Sequence, residues 1–306
     1  MAHDHDHHHH HHAPPTSPGR AFAIGLAINL AFVIAEVIFG VRSNSMALLA
    51  DAGHNLGDVL GLGLAGGAAM MAALRPSARR TYGLRRTTIL ASLVNAVVLV
   101  LVTGGIVWES ILRLRDPDVV SEKVVIVVAL LGVLVNGGSA LLFMRDRKKD
   151  LNVGSAFAHL AADAVLALGV AVAGGVILWT HWMWLDPAVS IALSIFILVS
   201  TFGLLRGSLD LALDAVPEGV DPAAVRAYLA KCDGVVAVHD LHIWAMSTTE
   251  NALTVHLLTE SGAYEHKRLR EMCHHLEHEF GIGHSTIQVE PCEPESACRQ
   301  ASDEVV

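Results

Sequence analysis

The chain has 306 residues, 53% of them hydrophobic and 17% charged, with a mean hydropathy of +0.48, far more apolar than an ordinary globular domain of that length. A formal net charge of −9 argues against nucleic acid as a partner. No P-loop, Gly-rich dinucleotide fingerprint or H-E-x-x-H occurs, so ATP-driven pumping and zinc proteolysis lack their usual signals. A polytopic membrane protein remains.

Residues 1–20 are low-complexity and then Pro- and Ser-rich, a composition that forms no packed core. Their histidines read equally as a metal-collecting native tail or as an affinity tag. Because Asp, His and Pro replace the basic and apolar regions of a secretory signal, the first span is expected to be a retained helix. A bilayer core needs roughly 20 apolar residues per helical crossing, and six segments supply them, at about 21–41, 46–74, 87–112, 122–144, 155–180 and 185–205. The loop after span 2 holds Arg75, Arg79, Arg80, Arg85 and Arg86, and the loop after span 4 holds Arg145, Arg147, Lys148 and Lys149. The opposite loops are poorer in uncompensated positive charge, so both termini are expected in the cytoplasm. Trp179, Trp182 and Trp184 read as an interfacial belt, and Asp186 before Pro187 as the N-cap of span 6.

From about residue 208 the chain turns polar. Asp221 before Pro222 opens a short helix, two alternating strands follow at 235–246 and 252–259, then a helix from about Tyr264 to Phe280 ended by Gly281, then a strand at 284–290. That order predicts a small two-layer α+β domain with its helices on one face of a sheet. The division expected is thus a 1–20 tail, a 21–207 transmembrane domain and a 208–306 cytoplasmic domain. All four cysteines, Cys232, Cys273, Cys292 and Cys298, fall in the last part, where metal binding or plain packing is a better reading than a disulfide framework.

The chemistry lies in the spans. His54 and Asp58 are four residues apart, one turn apart on one helix face, and Asp51 extends that stripe, either lining a path or capping a neighbouring helix. Span 5 repeats the arrangement with His159 and Asp163. Ionisable groups inside a membrane usually face a cavity and have a function. Two imidazoles and two carboxylates give four ligands suited to tetrahedral Zn²⁺. The small residues around both motifs, Gly57 and Ala162 among them, predict close approach of spans 2 and 5. Glu36, Asn29, Asn95 and Asn136 read as bonds between helices, and Glu109 as a partner of Arg113.

Six spans with H-N-L-G-D, H-L-A-A-D, D-P-A-V-S and the tail stretch V-H-D-L-H-I-W together resemble the cation diffusion facilitator family, in its bacterial zinc and cobalt–zinc–cadmium efflux branch. The resemblance covers nearly the whole chain after residue 20. It implies an all-α six-helix transmembrane domain followed by a cytoplasmic ferredoxin-like, metallochaperone-like domain, in a homodimer of the bacterial inner membrane. It implies export of cytoplasmic Zn²⁺, with Cd²⁺ and Co²⁺ as further cargo, in exchange for protons by alternating access. His54, Asp58, His159 and Asp163 would be the transport site. His239, His256, His284 and Glu290 fall where relatives hold regulatory metal, and Cys292 with Cys298 form a further candidate clasp. The loop between spans 2 and 3 carries no ligand set of the kind some members place there. Arg85 or Arg86 with Asp210 or Asp214 is a candidate lock at the cytoplasmic side.

Neutral imidazole and ionised carboxylate are the metal-binding forms, so protons compete for the same four side chains, which supplies a coupling device. The rival reading is a membrane-anchored metal sensor or buffer without flux. Carboxylates inside two spans are unnecessary for that role.

Overall fold

The computed structural model describes residues 20–144 and 151–292. The N-terminal histidines, the basic loop at 145–149 and Cys298 lie outside them. Six long helices come first: α1 Arg20–Arg42, α2 Met46–Ala72, α3 Thr87–Arg115, α4 Glu122–Phe143, α5 Leu151–Thr180 and α6 Leu185–Ala212. Among the described residues four helices, α3 to α6, are long and apolar enough to cross a membrane by length and composition alone. In α2 the polar set Asp51, His54, Asn55 and Asp58 interrupts the apolar run, so the residues that bear chemistry are those that lower its hydropathy. Leu101, Leu134, Val172 and Val199 stand exposed on the helices, as side chains facing lipid do.

The described residues fall into two compact units, those up to Gly66 with Ile106–Leu193, and Gly67–Gly105 with those from Ser194 on. In the first, α5 packs along α4. A Cβ on Gly132 would meet Phe32 at 3.2 Å and Ala167 at 3.3 Å, and one on Gly174 would meet Ile126 at 3.0 Å, so small residues set that spacing. Close approach was expected of α2 and α5 instead. Among the described residues those two make no comparable backbone approach; they meet through long polar side chains.

Asp186 also differs from expectation. It sits in the first turn of α6 and caps α2 rather than its own helix. Its carboxylate accepts from Ser45 Oγ at 2.5 Å, Met46 N at 2.5 Å and Ala47 N at 3.4 Å, satisfying backbone donors that the first turn of α2 cannot bond internally. Ser110 donates to Ser190 at 2.9 Å between α3 and α6, Arg113 holds Glu109 at 3.0 Å, and Trp182 stacks on Trp184 with ring centroids 5.9 Å apart.

In the second unit, α7 Pro222–Ala230, β1 Val235–Ala245, β2 Asn251–Thr259, α8 His266–Phe280 and β3 His284–Pro291 follow in that order, as the sequence pattern predicts. Asp221 caps α7 by accepting from Ala223 N at 2.9 Å. The sheet order is β1-β2-β3, with β1 and β2 antiparallel and β2 and β3 parallel, so α8 is the crossover a parallel pair requires. Val225, Leu229, Leu253, Val255, Leu257, Met272 and Leu276 form the core under the helices. Gly281 ends α8 at φ 66°, with its N–H bonded to the Leu276 and Glu277 carbonyls, a left-handed cap that costs glycine little. The β1–β2 register is irregular between His239 and His242, and Asp240 there has φ 50°. This bulge leaves His239 and Asp240 both buried in succession, against strict alternation.

Candidate metal centres

In the first unit, helix periodicity brings His54 and Asp58 to one face of α2, and His159 and Asp163 to one face of α5. The pairing runs mainly across the two helices. His54 Nε2 lies 3.1 Å from Asp163 Oδ1, and His159 Nε2 lies 3.3 Å from Asp58 Oδ2 and 3.6 Å from Asp163 Oδ2. The two rings are edge-on at 6.2 Å. One ligand atom each from His54, Asp58 and Asp163 falls within 4.8 Å of the others, and His159 closes on both carboxylates from the fourth side. A cavity of about 90 Å³ opens beside them, lined by Asn29, Asn55, Asp58, Asn136, His159 and Asp163 among others. That room fits one ion with a little water. Asp163 is buried, while His159 is half exposed at its side chain. Asp51 is buried but stands outside the ligand group.

In the second unit, His239 and His256 face each other directly across β1 and β2, with ring centroids 5.2 Å apart. Glu290 lies diagonal to His256 on β3, two residues past its partner Gln288. Its oxygens stand 3.1 Å from His256 Nδ1 and 3.5 Å from His239 Nε2. These three offer ligand atoms within 4.8 Å of one another, and His239 Nε2 is buried with no hydrogen-bond partner.

His284 is not among them. It pairs with Ala252 at the other end of β2, four residues from the His256 row, which at a strand rise of about 3.3 Å is some 13 Å away. Its ring instead meets Tyr82 edge-on at 5.6 Å. Asp240, not singled out from sequence, lies 3.5 Å from His256 Nε2 and 2.9 Å from His242 Nε2. The bulge that turns it inward leaves no mark in an alternating pattern. Cys292 is exposed, one residue past β3. Burial pushes the Cys232 and Cys273 thiols above their ordinary range, so both stay protonated at neutral pH. The α8 histidines contact aromatic rings: His275 stacks on Tyr228 at 4.0 Å, and His274 meets His278 at a tilt, with centroids 4.2 Å apart.

The candidate lock resolves into two pairs. Arg86 bonds Asp214, and Arg85 reaches Glu250 at 2.5 Å in the turn between β1 and β2. Beside them Thr248 N donates to Thr88 Oγ1 at 3.1 Å. Asp210 pairs along its own helix with Arg206 at 3.8 Å.

Family models match both parts of the chain, a cation efflux transmembrane domain over residues 22–211 and a cation efflux protein cytoplasmic domain over residues 217–292. The chain is 35% identical over 301 residues to the metal cation efflux system protein CzcD of Cupriavidus metallidurans, spanning 97% of this chain and 92% of that one. It is 35% identical over 296 residues to the zinc transporter ZitB of Escherichia coli, 95% of this chain and 94% of that one. The cadmium, cobalt and zinc/H(+)-K(+) antiporter of Bacillus subtilis is 32% identical over 276 residues, 89% of this chain and 88% of that one. Helices built for lipid and a chain matched end to end leave one assignment: this protein belongs to the cation efflux family, the cation diffusion facilitators. It is an integral membrane protein of a metal cation efflux family, with a cytoplasmic α+β domain.

Proposed function

We propose that the protein exports Zn²⁺ from the cytoplasm in exchange for protons by alternating access, with His54, Asp58, His159 and Asp163 as the transport site. The observation that carries this reading is the crossed pairing of the two motifs inside apolar helices. Each histidine meets a carboxylate of the other helix, so an ion entering the cluster replaces these contacts with bonds to both helices at once. Two nitrogen and two oxygen donors suit Zn²⁺ in four-coordination, with Cd²⁺ and Co²⁺ as neighbouring cargo. The same contacts are what the site becomes when protons displace the ion, since a protonated imidazole pairs with a carboxylate. A zinc transporter at 35% identity over nearly the full length supports the choice of ion, and an antiporter among the relatives supports exchange.

His239, His256 and Glu290 would hold a regulatory divalent metal, with Asp240 beside them. His239 Nε2 is buried without a hydrogen bond and stands 3.5 Å from Glu290, which suits it to a bond with a metal. The match to a cation efflux cytoplasmic domain supports a homodimer through this part of the chain. The positive charge of the loops after spans 2 and 4 supports cytoplasmic termini in the bacterial inner membrane.

The deciding experiment is Zn²⁺ flux into proteoliposomes holding a zinc-sensitive dye, with and without an imposed pH gradient, for the wild type and Asp163→Ala. Gradient-driven flux that vanishes in the variant is the expected result. Zinc binding without flux in the wild type would make the protein a membrane-anchored sensor.

A further inference from the structure

One buried pair of ionisable groups has no part in the cycle described above. Glu36 on α1 is 0% exposed and Asp51 on α2 is 3% exposed, and their carboxyl groups face one another. Asn55 Nδ2 donates to Glu36 Oε2 at 2.9 Å. Glu36 Oε1 and Asp51 Oδ2 are both buried without a hydrogen-bond partner. Two adjacent carboxylates away from water cannot both stay ionised, because desolvation and mutual repulsion act together. One amide donor serves only one of them. A single positive charge between them satisfies both free oxygens, either a proton that lets one carboxyl donate to the other or a small alkali ion bound by oxygen.

We propose that Glu36 and Asp51, assisted by Asn55, form the binding site of the counter-cation, which leaves as the metal arrives. The inference rests on the exporter reading and adds to it a second, separate site. Asp51 stands outside the ligand group but within electrostatic reach of His54 and Asp163, and Glu36 is the other ionisable group facing it; the ionisable group facing Glu36 is Asp51 itself. A dication on His54 and Asp163 therefore repels a positive charge on the pair, and a charge on the pair repels the dication. Such coupling is reciprocal by thermodynamic necessity. An exchanger needs this property, since filling one site empties the other. A pair that served only to join α1 and α2 would keep its proton through the whole cycle.

The test titrates Zn²⁺ into the full-length protein in weakly buffered detergent solution and counts protons released per zinc bound with a pH dye, in choline and in potassium salts. Wild type is compared with Glu36→Gln, Asp51→Asn and Glu36→Asp. With His256→Ala present throughout, so that the zinc counted is that of the transport site, a proton occupant means that Glu36→Gln and Asp51→Asn each release about one proton fewer per zinc than the parent, and Glu36→Asp returns the parent count. If the occupant is an alkali ion, proton counts agree throughout, while potassium weakens zinc binding in wild type and in neither neutral variant. Neutral variants that match wild type in both readouts overturn the proposal, as does a loss that Glu36→Asp fails to repair, which would assign the pair to packing. Counting per zinc bound reads each sample through its folded fraction. A wild type that binds zinc but shows no flux defeats the exporter reading instead.

Discussion

Asp163 is buried with one oxygen 3.1 Å from His54 Nε2 and the other 3.6 Å from His159 Nε2, so it is the side chain that both imidazoles share. Asp58 lies 3.3 Å from His159 and is half-buried. The two carboxylates therefore carry unequal weight: Asp163→Asn is expected to abolish measurable zinc binding at the transport site. Asp58→Asn should weaken binding severely but leave it measurable, since three of the four ligands remain. Zinc-binding isotherms of the two variants would show this order or its reverse. A second expectation concerns the thiols. Only the thiolate reacts with an alkylating agent, and burial holds Cys232 and Cys273 above their ordinary range, while Cys292 is exposed. At neutral pH iodoacetamide should modify Cys292 before the other two, and raising the pH should speed Cys232 and Cys273. Peptide mass spectrometry that finds Cys232 modified first would contradict the burial argument. The i, i+4 spacing of both intramembrane motifs was legible because it depends only on helix period. Asp186 was not, since the amides it caps lie some 140 residues away in sequence and an Asp-Pro pair at a helix start looks the same whichever helix it serves.

At the scale of elements, the segment between α2 and α3 is tied to the sheet domain at two strand ends. Arg85 and Thr88 reach the β1–β2 turn through Glu250 and Thr248, and Tyr82 meets His284 at the start of β3. Arg86 with Asp214 is about half exposed on both sides, so its static stabilisation is about 0.2–1 kcal/mol and salt-sensitive. Its value would then lie in transport rather than in folding. Arg86→Asp and Asp214→Arg are each expected to slow zinc flux several-fold, and the double exchange to restore it. A pair of single variants with wild-type flux would dismiss the lock. Sequence pointed to arginines near an acidic stretch but could not choose Asp214 over Asp210, because that choice depends on where α6 ends. The small residues are a similar case: Gly57, Ala162 and their neighbours pointed to close packing of spans 2 and 5, and only the fold shows that the tight contacts fall at Gly132 and Gly174, where α4 packs on α5. Gly132→Leu should overpack that contact at a cost of about 1–3 kcal/mol, seen as a lower melting temperature in detergent.

For the whole molecule, metal at His239, His256 and Glu290 should stabilise the folded cytoplasmic domain by mass action. Free zinc at 100 times its dissociation constant adds about 2.7 kcal/mol, so the melting transition of the full chain should rise with zinc and lose that part of the rise in His256→Ala. A shift identical in both proteins would place the stabilising ion elsewhere. The order of the elements was legible, since apolar runs of helix length and the sequence helix, strand, strand, helix, strand follow from hydropathy and periodicity. What escaped was the inward turn of Asp240, because a bulge breaks the two-residue period on which strand reading depends.

The bond network at Asp186 bears on how α2 could move. Three donors at residues 45–47 hold the foot of α2 to the first turn of α6. A rod fastened at its foot cannot slide along its own axis, and it can swing. At 1.5 Å of rise per residue, His54 is about 12 Å and Asp58 about 18 Å from that fastening. A swing of about 10° would carry His54 through roughly 2 Å and Asp58 through roughly 3 Å. Distances of that size separate a closed ligand set from an open one. Under the alternating access proposed above, the two faces of the membrane would be served in turn by a lever, and Asp58, the ligand farthest from the pivot, would be the first to let go.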